Sequence, residues 1–203
     1  MATSEQCVGL PPRRPQSNWN ASATTLEAGD FNGDGRDDLA ALYGYGGTTT
    51  KTWVFATAPT GAFGTPKTWW TSTTLDWKRA QVHAGDFNGD RLDDIAIWYD
   101  YADGSDKVFI TPSTGSGTFG TAGVALTSPV GGWDVSQSRL VVGDYNGDGR
   151  SDLGAMYNYA DGSVKTWTMT TKSDGTFNAA VAGWATNTSA WSYAHTRLFS
   201  SYN

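Results

Sequence analysis

Three stretches of this chain carry enough carboxylate and amide oxygen to hold a metal ion. They read Asp30-Phe-Asn-Gly-Asp-Gly-Arg-Asp-Asp38, Asp86-Phe-Asn-Gly-Asp-Arg-Leu-Asp-Asp94 and Asp144-Tyr-Asn-Gly-Asp-Gly-Arg-Ser-Asp152, each preceded by a glycine. Side-chain oxygens at the first, third, fifth and ninth positions of a tight loop converge on one point, which suits calcium and its preference for about 6 to 8 hard oxygen ligands. The expected ligands are Asp30, Asn32, Asp34, Asp38 and the Arg36 carbonyl; Asp86, Asn88, Asp90, Asp94 and the Leu92 carbonyl; and Asp144, Asn146, Asp148, Asp152 and the Arg150 carbonyl. Asp37 and Asp93 are left out because Ser151 stands at their position in the third copy. A single loop of this kind is also a metal-free Asx turn, and three in register favour Ca²⁺. An EF-hand is excluded, since its twelfth position should be Glu and is Ala41, Ile97 or Ala155 here. Arg91 takes the place of Gly35 and Gly149, and a left-handed non-glycine residue costs on the order of 1 kcal/mol, so calcium is expected to be weakest in the second loop.

The charge of the chain has the same origin. Twenty acidic residues face 14 basic ones, a formal net charge of −6, and 11 of the acids lie in the three loops. One Ca²⁺ per loop would bring the formal charge to zero. No basic footprint for nucleic acid is present.

Aromatic residues form the second group with chemical meaning. The pairs Tyr43/Tyr45, Tyr99/Tyr101 and Tyr157/Tyr159 recur, and Lys51, Lys107 and Lys165 follow at matching positions. Aromatic faces stack on the apolar side of a sugar while hydroxyl and ammonium groups bond its hydroxyls. A solvated hairpin end would use the same residues. Trp69 (aligned with Ala125 and Gly183) and Trp98 (aligned with Leu42 and Met156) vary between copies, so the fold does not demand them and they join the ligand candidates. Trp19, Trp77, Trp133 and Trp191 recur near the start of each unit, and Trp70 and Trp184 align with Leu126, which reads as packing.

Catalytic chemistry is not expected. His83 aligns with Glu27 and Val141, and His195 stands apart; no His-Glu-x-x-His helix, Gly-x-Ser-x-Gly elbow or phosphate-binding glycine loop occurs. The single cysteine, Cys7, rules out a disulfide or a cysteine zinc site within one chain.

The elements that position these groups follow from the repeat. Loop starts at residues 30, 86 and 144 are each followed 23 residues later by Trp53, Phe109 or Trp167, and ten further on by Phe63, Phe119 or Phe177. The period is 56 to 58 residues. The units run at about 19–76, 77–132 and 133–190, with a partial fourth at 191–203 and an unrelated N-terminal arm or linker at 1–18. In the first unit, extended pieces are expected at Thr25–Gly29, Leu39–Tyr45, Lys51–Thr57 and Pro66–Thr71. The later copies place Asp-Gly at the middle turn, a hairpin signal. Leu39 to Tyr43 is apolar on both alternating faces, as in a sheet covered on both sides. The expected fold class is all-β: four-stranded antiparallel blades of a β-propeller. Three repeats do not close a ring of about four to eight blades, so either a homodimer completes one ring of six or seven, or the chain is part of a longer protein.

The wider composition agrees. Two hundred and three residues hold one sizeable core, 13% aromatic content argues against disorder, and no apolar run is long enough for a membrane span. Met1 to Ser17 lacks a signal-peptide core, so an export signal is expected to be absent or already removed. Asn20-Ala-Ser22 and Asn187-Thr-Ser189 are formal glycosylation sequons.

From Trp19 to Asn203 the chain resembles the FG-GAP or VCBS-type repeats of integrin α-subunit heads and secreted bacterial propellers, most specifically in the acidic loop. The resemblance implies calcium between the first two strands of each blade, an extracellular setting, and binding rather than catalysis. The tryptophan-rich pattern is also similar to bacterial propeller lectins, which implies sugar sites between blades. The expected function is a secreted, calcium-stabilised module that binds carbohydrate or a cell-surface glycan. The alternative is a protein-interaction propeller or the targeting part of a larger secreted hydrolase.

Overall fold

The computed structural model describes residues 19–188 and 190–199. The N-terminal arm with Cys7, the end of the second sequon at Ser189 and the last residues of the partial fourth unit lie outside them.

Three four-stranded antiparallel sheets follow one another along the chain. The first holds β1 (Thr24–Gly29), β2 (Asp38–Gly46), β3 (Thr49–Phe55) and β4 (Lys67–Ser72). The second holds β5 (Ala80–Gly85), β6 (Asp94–Asp100), β7 (Asp106–Thr111) and β8 (Gly123–Ser128). The third holds β9 (Ser138–Gly143), β10 (Asp152–Asn158), β11 (Val164–Met169) and β12 (Val181–Ala185). Each is a simple meander, with consecutive strands as neighbours. The four extended pieces expected from sequence match the first sheet closely.

Turn chemistry fixes the connections. Asp103 and Gly104 close the β6–β7 hairpin: the Tyr101 N–H donates to the Ser105 carbonyl, and Gly104 adopts φ 80°. The acidic loops join the first and second strands, pinned where Gly29, Gly85 and Gly143 pair with Asp38, Asp94 and Asp152. A register shift recurs between the third and fourth strands of every sheet.

The core lies between sheets. Phe31, Leu42, Val54 and Trp69 of the first sheet pack on Val82, Ile95, Ile97 and Phe119 of the second. Phe87, Trp98, Val108 and Ile110 on the other face of the second sheet pack on Leu140, Leu153, Met169 and Phe177 of the third. This explains the double-faced apolar pattern of the second strands, because β6 is covered on both sides. Two backbone bonds recur at both interfaces. The Asp93 and Ser151 N–H groups donate to the carbonyls of Asp30 and Asp86 at 3.0 and 2.7 Å, and those of Phe119 and Phe177 to Trp69 and Ala125 at 3.1 and 3.0 Å.

Each unit opens with a short 3-10 turn: Ala21–Ala23, Trp77–Arg79, Val135–Gln137 and Tyr193–His195. Their caps, Asn20, Asp76, Asp134 and Ser192, correct the sequence alignment. Leu75, not Trp77, stands where Trp19, Trp133 and Trp191 stand, one residue before the cap. The connection from β4 is two residues shorter than that from β8, so the tryptophan of the second unit falls inside the turn instead of ahead of it.

Candidate functional site

Each acidic loop is drawn round its first aspartate. Asp30 Oδ1 accepts from the Gly33 and Asp34 N–H groups and Oδ2 from that of Gly35, and Asp86 and Asp144 repeat the pattern. The sixth position must be left-handed for this, with φ 79° at Gly35, 69° at Arg91 and 84° at Gly149. Arg91 is the one non-glycine residue with positive φ among the described residues, as its place in the motif predicts. The ninth-position aspartates are buried, and each ties the loop to the start of the following hairpin: Asp38, Asp94 and Asp152 accept from the N–H of Thr57, Ser113 and Thr171.

The expected ligands share one loop in each copy, but among the described residues no three carboxylate or imidazole groups come together closely enough to hold a metal ion. The loop is held by hydrogen bonds instead, as an Asx turn would be. The donor set, all oxygen, fits a hard cation. A buried atom supports the fit: Asp94 Oδ2 has no hydrogen-bond partner. Burial, with repulsion from Asp90 and Asp86, pushes the Asp94 carboxyl up to about 7. Asp38 and Asp152 are raised for the same reasons, burial first and then their loop partners. Asp144 is held below the usual range by the Gly149 N–H and its neighbours.

The aromatic candidates divide into three groups. Trp69 and Trp98 are core residues, contrary to the expectation that they bind ligand. Trp69 packs on Phe119 at 5.3 Å, and Trp98 is 1% exposed with its Nε1 donating to buried Asp106. Their variation between copies reflects different fillings of the sheet interface, not freedom from it. The inner tyrosines, Tyr43 and Tyr99, use their hydroxyls to accept from the N–H of Asn20 and Asp76, which anchors the 3-10 turns; Tyr157 faces the Asp134 backbone in the same way. The outer tyrosines, Tyr45, Tyr101 and Tyr159, lie edge-on or tilted to them at 4.8–4.9 Å and carry Lys51, Lys107 and Lys165 near their faces at 5.3, 5.6 and 5.7 Å.

Between the first two sheets Tyr99 and Tyr101 border a small open cleft. Trp70, Phe109, Tyr99 and Tyr101 form aromatic walls, Leu75 and Ile97 its floor, and Ser72 and Thr74 supply hydroxyls. At the corresponding place between the second and third sheets, Trp133 fills the space, 5.5 Å from Trp98, 5.0 Å from Tyr157 and 6.0 Å from Trp167. Leu75 in place of a tryptophan leaves the first cleft open. Trp77, displaced by two residues, lies instead on Gly44, where a Cβ would stand 1.8 Å from its ring. Trp70, read from sequence as packing, does pack against the core between the first two sheets and also lines this cleft.

The family described as FG-GAP-like repeat matches residues 30–97 and again 86–155. The chain belongs to this family. Each match runs from one acidic loop through the second strand of the next sheet, so the FG-GAP-like repeat is staggered relative to the sheets. No curated protein matches the chain. FG-GAP-like repeats form binding or structural modules.

Two half-buried titratable groups of this FG-GAP-like chain face a separate cavity. Glu27 and His83 line it with Leu140, Val141, Val142 and Phe199. Burial pushes Glu27 up to about 7, partly offset by the Ala84 N–H, and pushes His83 down to about 4; His83 Nε2 has no partner. His195 Nδ1 is bonded to Ser192 Oγ within its turn.

Proposed function

We propose that this protein is an extracellular, calcium-stabilised module that binds carbohydrate in the cleft between its first two sheets and performs no catalysis. The observation that carries the reading is the make-up of that cleft. It is concave, aromatic on its walls, hydroxylated at its rim and flanked by the Lys107 ammonium, which matches what a small polar ligand with one apolar face requires. Calcium in the acidic loops would brace the β1–β2, β5–β6 and β9–β10 connections, and exposed oxygen loops of moderate affinity suit the millimolar calcium outside cells.

The test is a glycan array probed with the wild-type chain and with Leu75→Trp. The wild type is expected to bind a defined subset of glycans, and the variant, whose added ring fills the cleft as Trp133 fills its counterpart, to bind none of them. Equal binding by both would place the ligand elsewhere; no binding by the wild type would leave a protein partner as the better reading.

The three sheets are read as blades of a propeller ring completed by a second copy. Leu26 and Phe63 on the first sheet are 55% and 56% exposed, whereas their counterparts Val82, Leu140, Phe119 and Phe177 are 5–8% exposed between sheets. At the other end Tyr145 is 47% exposed where Phe31 and Phe87 are fully buried. By the repeat, the groups equivalent to those of the inter-sheet bonds are the N–H groups of Asp37 and Phe63 at one end and the carbonyls of Asp144 and Gly183 at the other. Trp191 lies 5.3 Å from Trp184 of the third sheet, so a second copy's Trp19 segment would have to displace it there.

A further inference from the structure

The three acidic loops differ in one respect that bears on cation affinity. In the first and third, the seventh residue is arginine, and its guanidinium turns back onto the fifth-position ligand: Arg36 pairs with Asp34, and Arg150 with Asp148. Neither contact is a loose surface pair. Arg36 Nε also donates to the Thr57 carbonyl at 3.2 Å, and Arg150 Nε and an NH2 group donate to that of Thr171 at 3.4 and 3.3 Å. Each guanidinium is thus fixed on the end of the third strand, with a positive charge placed on an oxygen that the cation needs.

The second loop has no such group. Leu92 holds the seventh position and packs towards Gly33 and Gly115 of neighbouring loops. Asp90 Oδ2 receives only the neutral Asn88 amide, at 3.0 Å. Asp94 is fully buried, and its Oδ2 is without a partner. Arg91 stands one position earlier in a left-handed conformation, and among the described residues its side chain pairs with no carboxylate.

We infer that the second loop is the tightest of the three calcium sites, and that Arg36 and Arg150 are built-in counter-cations that hold the first and third in a weaker class. The inference rests on the calcium reading above and reverses the order expected from Arg91. The sixth residue is left-handed in all three loops, so what sets the second loop apart at its ligands is the missing guanidinium on the fifth position. A guanidinium on a ligand oxygen acts directly on affinity, because an entering divalent ion must displace it or sit beside a like charge.

Calorimetric titration of the whole chain with Ca²⁺ alone tests this. One tight event followed by two weaker ones is expected. Asp90→Asn should abolish the tight event and leave the weaker pair, whereas Arg36→Gln or Arg150→Gln should tighten one weaker event roughly tenfold by removing a nearby positive charge. Circular dichroism of each variant separates a lost site from a lost fold. If Asp34→Asn or Asp148→Asn removes the tight event, or if the three sites are equal, the inference is overturned while the calcium reading stands. A wild type that takes up no calcium overturns both.

Discussion

At the residue scale, backbone conformation and burial make two separable predictions. Arg91 is held at φ 69°, a region in which glycine carries no Cβ penalty. Arg91→Gly is expected to raise stability in urea unfolding by roughly 0.5–1 kcal/mol, after the greater entropy of an unfolded glycine is set against the relieved strain. The second prediction concerns the half-buried pair at the cavity of the first strands. His83, at about 4 when folded against an ordinary 6.5, contributes stability that is complete above pH 6.5 and is lost as pH falls towards 4. Glu27, at about 7 when folded against 4.5, acts in the opposite sense: the folded state holds its proton more tightly, so stability falls as pH rises from 4.5 to 7. The two slopes nearly cancel in the wild type between pH 4.5 and 6.5. His83→Val, which installs the residue found at position 141, removes one of them. Relative to wild type it should gain on the order of 2–3 kcal/mol between pH 6.5 and 4.5 in metal-free unfolding experiments. An unchanged difference across that range would mean that His83 is not buried as described.

At the element scale, most of the architecture was legible because three copies of one pattern constrain each other. The acidic loop, the Asp-Gly turn and the double-faced second strand placed all four strands of the first sheet to within about two residues, a spread usual for element ends. What escaped was decided by contacts between sheets, which a single unit does not reveal. Trp69 and Trp98 vary between copies because each interface is filled differently, with Leu42, Trp98 and Met156 at equivalent positions. Trp77 is out of step with Trp19, Trp133 and Trp191 because the connection from β4 is two residues shorter than that from β8. The cleft follows from that same shift, since it leaves Leu75 where a tryptophan would close the space. The converse substitution tests this at the second interface: Trp133→Leu should open a second cleft against Tyr157, Tyr159 and Trp167. The variant should lose about 1–3 kcal/mol of stability as the ring contacts vanish. A crystal structure showing that interface collapsed shut would contradict the assignment of cleft opening to this position.

At the scale of the whole molecule, the exposed ends of the sheet series set the expected assembly. Phe119 and Phe177 are 6% and 5% exposed, and replacing either by alanine should cost about 3–5 kcal/mol, as for other buried phenylalanines. Phe63 occupies the same position on an open face, so Phe63→Ala should leave the stability of an isolated chain almost unchanged. If a second copy covers that face, Phe63→Asp should convert a dimer into a monomer in light scattering, and a wild type that is monomeric at low micromolar concentration would remove the assembly proposal. Charge enters at this scale too. Eleven acids are concentrated in three loops, so if these hold calcium as proposed, chelation should lower the melting temperature. The account joins a calcium loop to a sugar cleft, and one measurement tests both most directly: a crystal structure of the protein grown in calcium with the best glycan from the array. It should show an ion bound by Asp86, Asn88, Asp90 and Asp94 and a sugar ring seated between Trp70 and Tyr101. Density for the sugar away from that cleft, with the acidic loops closed only on their own N–H groups, would contradict it.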